Sequence, residues 1–352
     1  MTAPLRLLLW IVGTFASLYG TAANAENAKP LFADDSVLNI QITAPFRDLI
    51  KQAPKSTDPY PAALTLVGDS GEEHMIALSA RGNSRRDTIV CKFPPLRIEF
   101  NEKPTDGSLF KGQKRLKLVT HCQNSRNYQQ YYLLEYAAYR FLNVITPQSL
   151  RVRLVNIDYI EADSGKTLYS RTGFFIEDTD DAAKRNGIKE IDVPGITVAQ
   201  LDTNAAARFA LFQYMIGNLD WSMYSGLAGE DCCHNAKLIG DRSEPLRGLI
   251  PVPYDFDYSG IVDAPYAVPP ENISVRSVRT RRYRGFCAHD AEVRRIASTF
   301  IENREAIYGV LDGIQDLNNS KKSKAVRYLD SFFLNISDDE RLEKQLLDKC
   351  RS

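Results

Sequence analysis

Tyr131-Tyr132-Leu133-Leu134-Glu135-Tyr136-Ala137-Ala138-Tyr139-Arg140-Phe141-Leu142 is where the hydrophobic period of this chain changes. Tyr131, Leu134, Glu135, Ala138, Phe141 and Leu142 recur at helical spacing, and the run ends before Pro147, which cannot continue a helix. Upstream the period is two. Residues 37–43 alternate apolar and polar side chains, residues 63–67 and 75–80 flank the turn Gly68-Asp69-Ser70-Gly71, and residues 96–100 and 115–120 repeat the alternation. Residues 151–159 and 169–176 return to strand spacing before the acidic turn at 177–181. Beyond it the pattern predicts helices near 202–215, 291–311, 323–333 and 338–350, with Asp202 as the N-cap of the first. The expectation is an α+β protein of two lobes, a strand-rich N-lobe over 26–177 and a mostly helical C-lobe over 178–352. A ligand crevice is expected between them.

The charge balance narrows the partners. The 44 Lys+Arg are offset by 44 Asp+Glu, so bulk electrostatics holds no nucleic acid to this chain. At the N-terminus, Arg6 precedes an apolar run from Leu7 to about Tyr19, and Ala23-Asn24-Ala25 has the small-x-small form of a cleavage site. Residues 1–25 therefore read as a signal peptide. The expected product is periplasmic or secreted, with no stable membrane insertion after cleavage. Cys91, Cys122, Cys232, Cys233, Cys287 and Cys350 suit an oxidising compartment, and six cysteines leave their pairing open. Cys232, Cys233 and His234 lack the C-x2-C or H-x3-H partner of a zinc site, so disulfides are the expectation.

Chemistry concentrates in three motifs. Arg81-Gly82-Asn83-Ser84-Arg85-Arg86 is a turn whose backbone and arginines suit an anion, or else a basic surface hairpin. Gly217-Asn218-Leu219-Asp220-Trp221 follows an apolar helix, and His234-Asn235 opens a short strand. Tyr254-Asp255-Phe256-Asp257-Tyr258-Ser259-Gly260 sets two carboxylates among aromatics, where burial needs compensation. Mg2+ would supply it. The competing reading is structural, with Asp257 capping a turn and Asp255 paired with an arginine. Arg276, Arg279, Arg281, Arg282 and Arg284 form the most basic run, expected to hold an acidic substrate or a phosphate, or simply to face acids and water. No Gly-x-Ser-x-Gly or His-Glu-x-x-His motif points to an esterase or zinc protease.

The order of Arg-Gly-Asn-Ser, Lys92 before Leu96-Arg97-Ile98-Glu99-Phe100, Gly-Asn-x-Asp-Trp, His-Asn and Tyr-Asp-Phe-Asp resembles the CotH spore-coat protein kinase family, over roughly half the chain. The resemblance implies an atypical protein-kinase-like fold that transfers phosphate from ATP, with Mg2+ or Mn2+, to an exported or envelope protein. It implies Asp220 as the catalytic Asp, and Asn235 and Asp255 as metal ligands assisted by Asp257. Gly82, Asn83 and Ser84 would approach the phosphates, Lys92 or Arg97 would be the phosphate cation with Glu135 as its partner, and Glu177 would lie in the segment facing adenine. Asn235 follows Asp220 by fifteen residues, whereas protein kinases keep the two within one short loop. Asn235 reaches a shared ion only if the intervening loop folds back. The alternative implied is a catalytically inactive relative that binds a nucleotide or a partner in the envelope.

Overall fold

The alternating segments form strands close to their expected bounds. The computed structural model describes residues 28–68 and 71–352; the expected signal peptide and the turn residues Asp69 and Ser70 lie outside the described residues. In chain order the elements are β1 (Leu38–Ala44), α1 (Phe46–Gln52), β2 (Tyr60–Leu66), β3 (Glu73–Ala80), β4 (Leu96–Phe100), β5 (Arg115–Val119), α2 (Gln129–Ile145), β6 (Val152–Glu161) and β7 (Thr167–Ile176). There follow α3 (Thr179–Arg185), β8 (Lys189–Ile191), α4 (Thr203–Ile216), β9 (Ala236–Gly240), β10 (Ile250–Pro253), α5 (Asp290–Glu302), α6 (Arg304–Gly313), α7 (Asn319–Asn335) and α8 (Asp339–Gln345).

The α+β class holds, but the two-lobed protein-kinase-like fold does not. The first seven strands close into a barrel, in the order β1-β2-β3-β4-β5-β7-β6. The closing contact is parallel, from Leu38 opposite Val155 to Ala44 opposite Glu161, while the other pairs are antiparallel. Alternation fills the interior: Ile40, Ile42, Leu64, Ile76, Leu78, Leu96, Ile98, Leu116, Leu118 and Ile157 are buried in one cluster with Phe46, Phe93 and Tyr159.

Helix α2, expected at the centre of the strand-rich lobe, packs outside the barrel. Its Leu133, Ala137 and Phe141 join a second core with Val119, Phe174 and Ile176 of the barrel wall and Phe209, Phe212, Phe256 and Phe332 from beyond residue 177. That core crosses the expected lobe boundary. The short sheet β10-β9-β8 lies after the barrel. The single helix expected over 291–311 is broken at Asn303, whose Nδ2 donates to the Thr299 carbonyl at 2.8 Å and closes α5.

Disulfides join Cys91 to Cys122, Cys232 to Cys233 and Cys287 to Cys350, leaving no free cysteine among the described residues. No helix among the described residues is long and apolar enough to cross a membrane.

Candidate functional site

Helix α4 positions the first acid. Asp202 accepts from the Ala205 N–H at 2.7 Å as the expected N-cap, and the helix ends at Gly217, with φ +67°. A Cβ there would meet Tyr328 Oη at 1.9 Å, so the turn needs glycine on two counts. Arg281 donates to the Tyr214 carbonyl and, through Nη2, to the Met215 carbonyl, both at 2.9 Å, capping the C-terminal end of α4. Arg284 Nη1 donates to the Leu219 and Trp221 carbonyls on either side of Asp220. Two arginines of the basic run therefore brace backbone.

The long loop after Asp220 does fold back. Ser222 N–H donates to the His234 carbonyl and His234 N–H to the Ser225 carbonyl. Asn235 Nδ2 then reaches Asp220 Oδ2 at 3.0 Å and its carbonyl at 2.8 Å, while His234 Nε2 lies 2.7 Å from Oδ1. The hydrogen bond to Asp220 raises the His234 pKa above its usual value, against a smaller opposing effect of burial.

Pairing of β9 with β10 brings in the second acid. The Tyr254 N–H donates to the Asn235 carbonyl, and the Asp255 N–H donates to Tyr139 Oη at 2.9 Å. Asn235 and Asp255 both have left-handed backbones, with φ 50° and 61°. Such conformations cost about 1 kcal/mol or more and persist where surrounding contacts enforce them.

Arg85 stands between three carboxylates. Its Nη1 lies 3.2 Å from Glu135 Oε2, Nη2 2.6 Å from Asp255 Oδ1 and Nε 3.3 Å from Asp257 Oδ2, with Tyr266 Oη donating to Asp257 at 2.8 Å. Burial raises Glu135 to about 7 and Asp257 well above the carboxylate range, although Arg85 opposes both. Burial would raise Asp255 too, but the charges of Arg85 and Arg81 outweigh it and hold Asp255 below its usual value. Asp255 therefore ionises more readily than Asp257.

Two more cations face Asp255. Arg81, just after β3, has a buried Nη1 with no hydrogen-bond partner. Lys117 on β5 lies over the Tyr254 ring at 5.1 Å, and burial lowers it to about 8, with Arg81's like charge adding to the effect. Neither makes an ion pair among the described residues. Sequence reasoning quoted Arg81 only as part of a basic turn and missed Lys117. The signal for Lys117 was its place between Leu116 and Leu118, which turns it out of the barrel.

Arg97 is exposed and pairs across the ladder with Lys117, on the same outer face, whereas Lys92 is exposed in a loop. Gly82, Asn83 and Ser84 are exposed in the turn before Arg85. Glu135 meets Arg85 rather than Lys92 or Arg97. Glu177 is buried with both oxygens on Arg185, at 3.1 and 2.8 Å, and also accepts from the Arg151 N–H, so it points into the fold.

Asp257, held by Arg85 and Tyr266 in the interior, does not fit as a metal ligand. Asp255 keeps a third of its side chain exposed, with one oxygen on Arg85, while the Asn235 side chain is turned to Asp220. Among the described residues, the one His/Cys/Asp/Glu grouping with metal-ligand spacing is Cys287, Asp290 and Cys350, but its two sulfurs form a disulfide and offer no thiolate. A groove lined by Asp220, Tyr258, Val268, Pro269 and Pro270 adjoins the site. The larger hollow, about 520 Å3, lies on the barrel wall by Arg126, Arg171 and Asp316, away from these acids. No protein-family model and no curated protein matches the chain.

Proposed function

We propose that the group of Asp220, Asp255, Arg81 and Lys117 binds the phosphates of ATP and transfers a phosphoryl group to a hydroxyl of an exported or envelope protein. The observation carrying this reading is the pair Arg81 and Lys117, cations that form no direct ion pair among the described residues and that both act on the charge of Asp255. Two half-buried cations that share one carboxylate retain donor capacity for an anion. The motif order that resembles the CotH family supports the same chemistry, and the disulfides support an exported setting.

Asp220 is the general base. His234 and Asn235 orient its carboxylate from two sides, and its remaining exposed surface accepts the proton of the acceptor hydroxyl. That oxygen bonds to the terminal phosphorus as the bond to the bridging oxygen breaks, releasing a nucleoside diphosphate. Arg81 and Lys117 hold the charge on the leaving phosphates. Asp255 and Asn235 would hold Mg2+ or Mn2+, which supplies further neutralisation of phosphate charge.

A second reading is favoured by Arg85, whose Nη2 at 2.6 Å already pairs with Asp255: an inactive cleft that binds a nucleotide without turning it over. Calorimetry of the oxidised mature chain with ATP and Mg2+ or Mn2+ tests both. Heat that is lost in Asp255→Asn and Lys117→Gln is expected, and a flat titration overturns both readings. Labelled ATP then separates them. Transfer that falls about 10²- to 10⁴-fold in Asp220→Ala, with binding retained, supports the enzyme; binding without transfer supports the inactive module.

A further inference from the structure

A separate cavity of about 260 Å3 opens where the basic run meets the C-terminal segment, lined by Arg282, Arg284, Lys349 and Arg351 with Asn272 and Tyr283. Four cations line it and no carboxylate does. Arg351 Nη2 donates to Tyr224 Oη at 2.8 Å, but its Nη1 is buried without a partner, as is Tyr283 Oη. Arg282 is exposed and makes no hydrogen bond or ion pair among the described residues. The wall is tied together: Cys287 is bonded to Cys350, the Cys287 N–H donates to the Arg351 carbonyl at 2.9 Å, and the Arg351 N–H donates to the Gly285 carbonyl at 2.8 Å. The cations are therefore gathered by the fold.

Gathering guanidinium groups around a cavity costs free energy unless an anion completes it. Forked N–H donors match the oxygens of a tetrahedral oxyanion. The volume is below the roughly 300–1,000 Å3 of cavities that take drug-sized ligands, which favours a small oxyanion over a whole nucleotide. Arg284 connects this cavity to the candidate base. Its Nη1 holds the carbonyls that bracket Asp220, its guanidinium stacks over Trp221 at 4.6 Å, and its other nitrogens make no hydrogen bond among the described residues.

We propose that this cavity binds a phosphate-type oxyanion, presented as free phosphate or on a phosphorylated side chain, and that Arg284 relays its occupancy to the Asp220 loop. The site is independent of ATP binding at Arg81 and Lys117.

The test uses the full disulfide-bonded chain, titrated with inorganic phosphate, a phosphoserine peptide and its unphosphorylated counterpart. Heat is measured by calorimetry, and the imidazole signals of the four histidines by NMR. The double variant Arg282→Gln/Lys349→Gln alters exposed side chains, so folding should be unaffected. We expect it to weaken phosphate binding about tenfold or more, while Lys117→Gln leaves that binding unchanged. The His234 signal should move on saturation of the wild type. Tighter binding of the phosphopeptide than of phosphate would assign the ligand to a modified protein, and the reverse would assign it to the free ion; either supports the site. Absence of heat, or binding lost in Lys117→Gln and kept in the double variant, overturns the site. A His234 signal that stays fixed at saturation overturns the relay.

Discussion

His234 and Lys117 carry opposite pH signatures. The folded pKa of His234 is raised by Asp220, so this contact stabilises the protein fully below the unfolded value of about 6.5 and is lost as pH rises through the folded value. Asp220→Asn should return the His234 titration toward about 6.5 by NMR; an unchanged midpoint would show that the hydrogen bond is not its cause. Lys117 is shifted downward to about 8, so the folded chain binds fewer protons than the unfolded one between that value and about 10.4, and stability rises with pH across this window. For an anion the direction reverses. Affinity for ATP should fall as pH passes about 8 and Nζ loses its charge, and Lys117→Arg should abolish that fall, as calorimetry at pH 7 and 9 would reveal. Around Lys117 stand Arg81, Lys237, Asp178 and Asp255, so the fall follows only if Lys237 stays paired with Glu190 and Asp178 with Arg115.

Helix α4 and its exit turn are the element on which the site depends. Its apolar surface is buried nearly all round, and its last turn delivers Asp220 because Gly217 turns left-handed under Tyr328. Gly217→Ala places a methyl group against Tyr328 Oη and a side chain at positive φ. The expected cost is about 1–3 kcal/mol, read as a lower midpoint in urea unfolding, with a changed His234 signal. An unchanged midpoint would mean that the turn relaxes freely. The run of Ala205, Ala206 and Ala207 behind Asp202 made this helix legible in sequence, since a cap followed by strong helix formers leaves few alternatives. The three-residue β8 and the Pro-containing β10 were not legible, because strands so short show no period and form only by pairing with β9.

At the scale of the molecule, two disulfides close long loops: Cys91–Cys122 spans 31 residues and Cys287–Cys350 spans 63. In the chain-entropy account each contributes roughly 4 kcal/mol. Cys91→Ser/Cys122→Ser should therefore lower the melting temperature markedly, and an unaltered melting temperature would show that the barrel holds this loop unaided. Alternation alone established the barrel strands near their final bounds, and the change of period at Tyr131 established α2, because side-chain direction along a strand or helix is a local property. Barrel closure was not local: it depends on Leu38 lying beside Val155, a parallel pairing that no periodicity encodes. The same holds for the site. Aspartates 220, 255 and 257 stood out as acids in apolar surroundings, but which cation would meet the last two was settled only when folding carried Arg85 between Glu135, Asp255 and Asp257 and left Arg81 and Lys117 near Asp255 with no direct ion pair among the described residues. Charge type is written in the chain, whereas partnership between distant charges is a matter of distance, and distance exists only in the folded state.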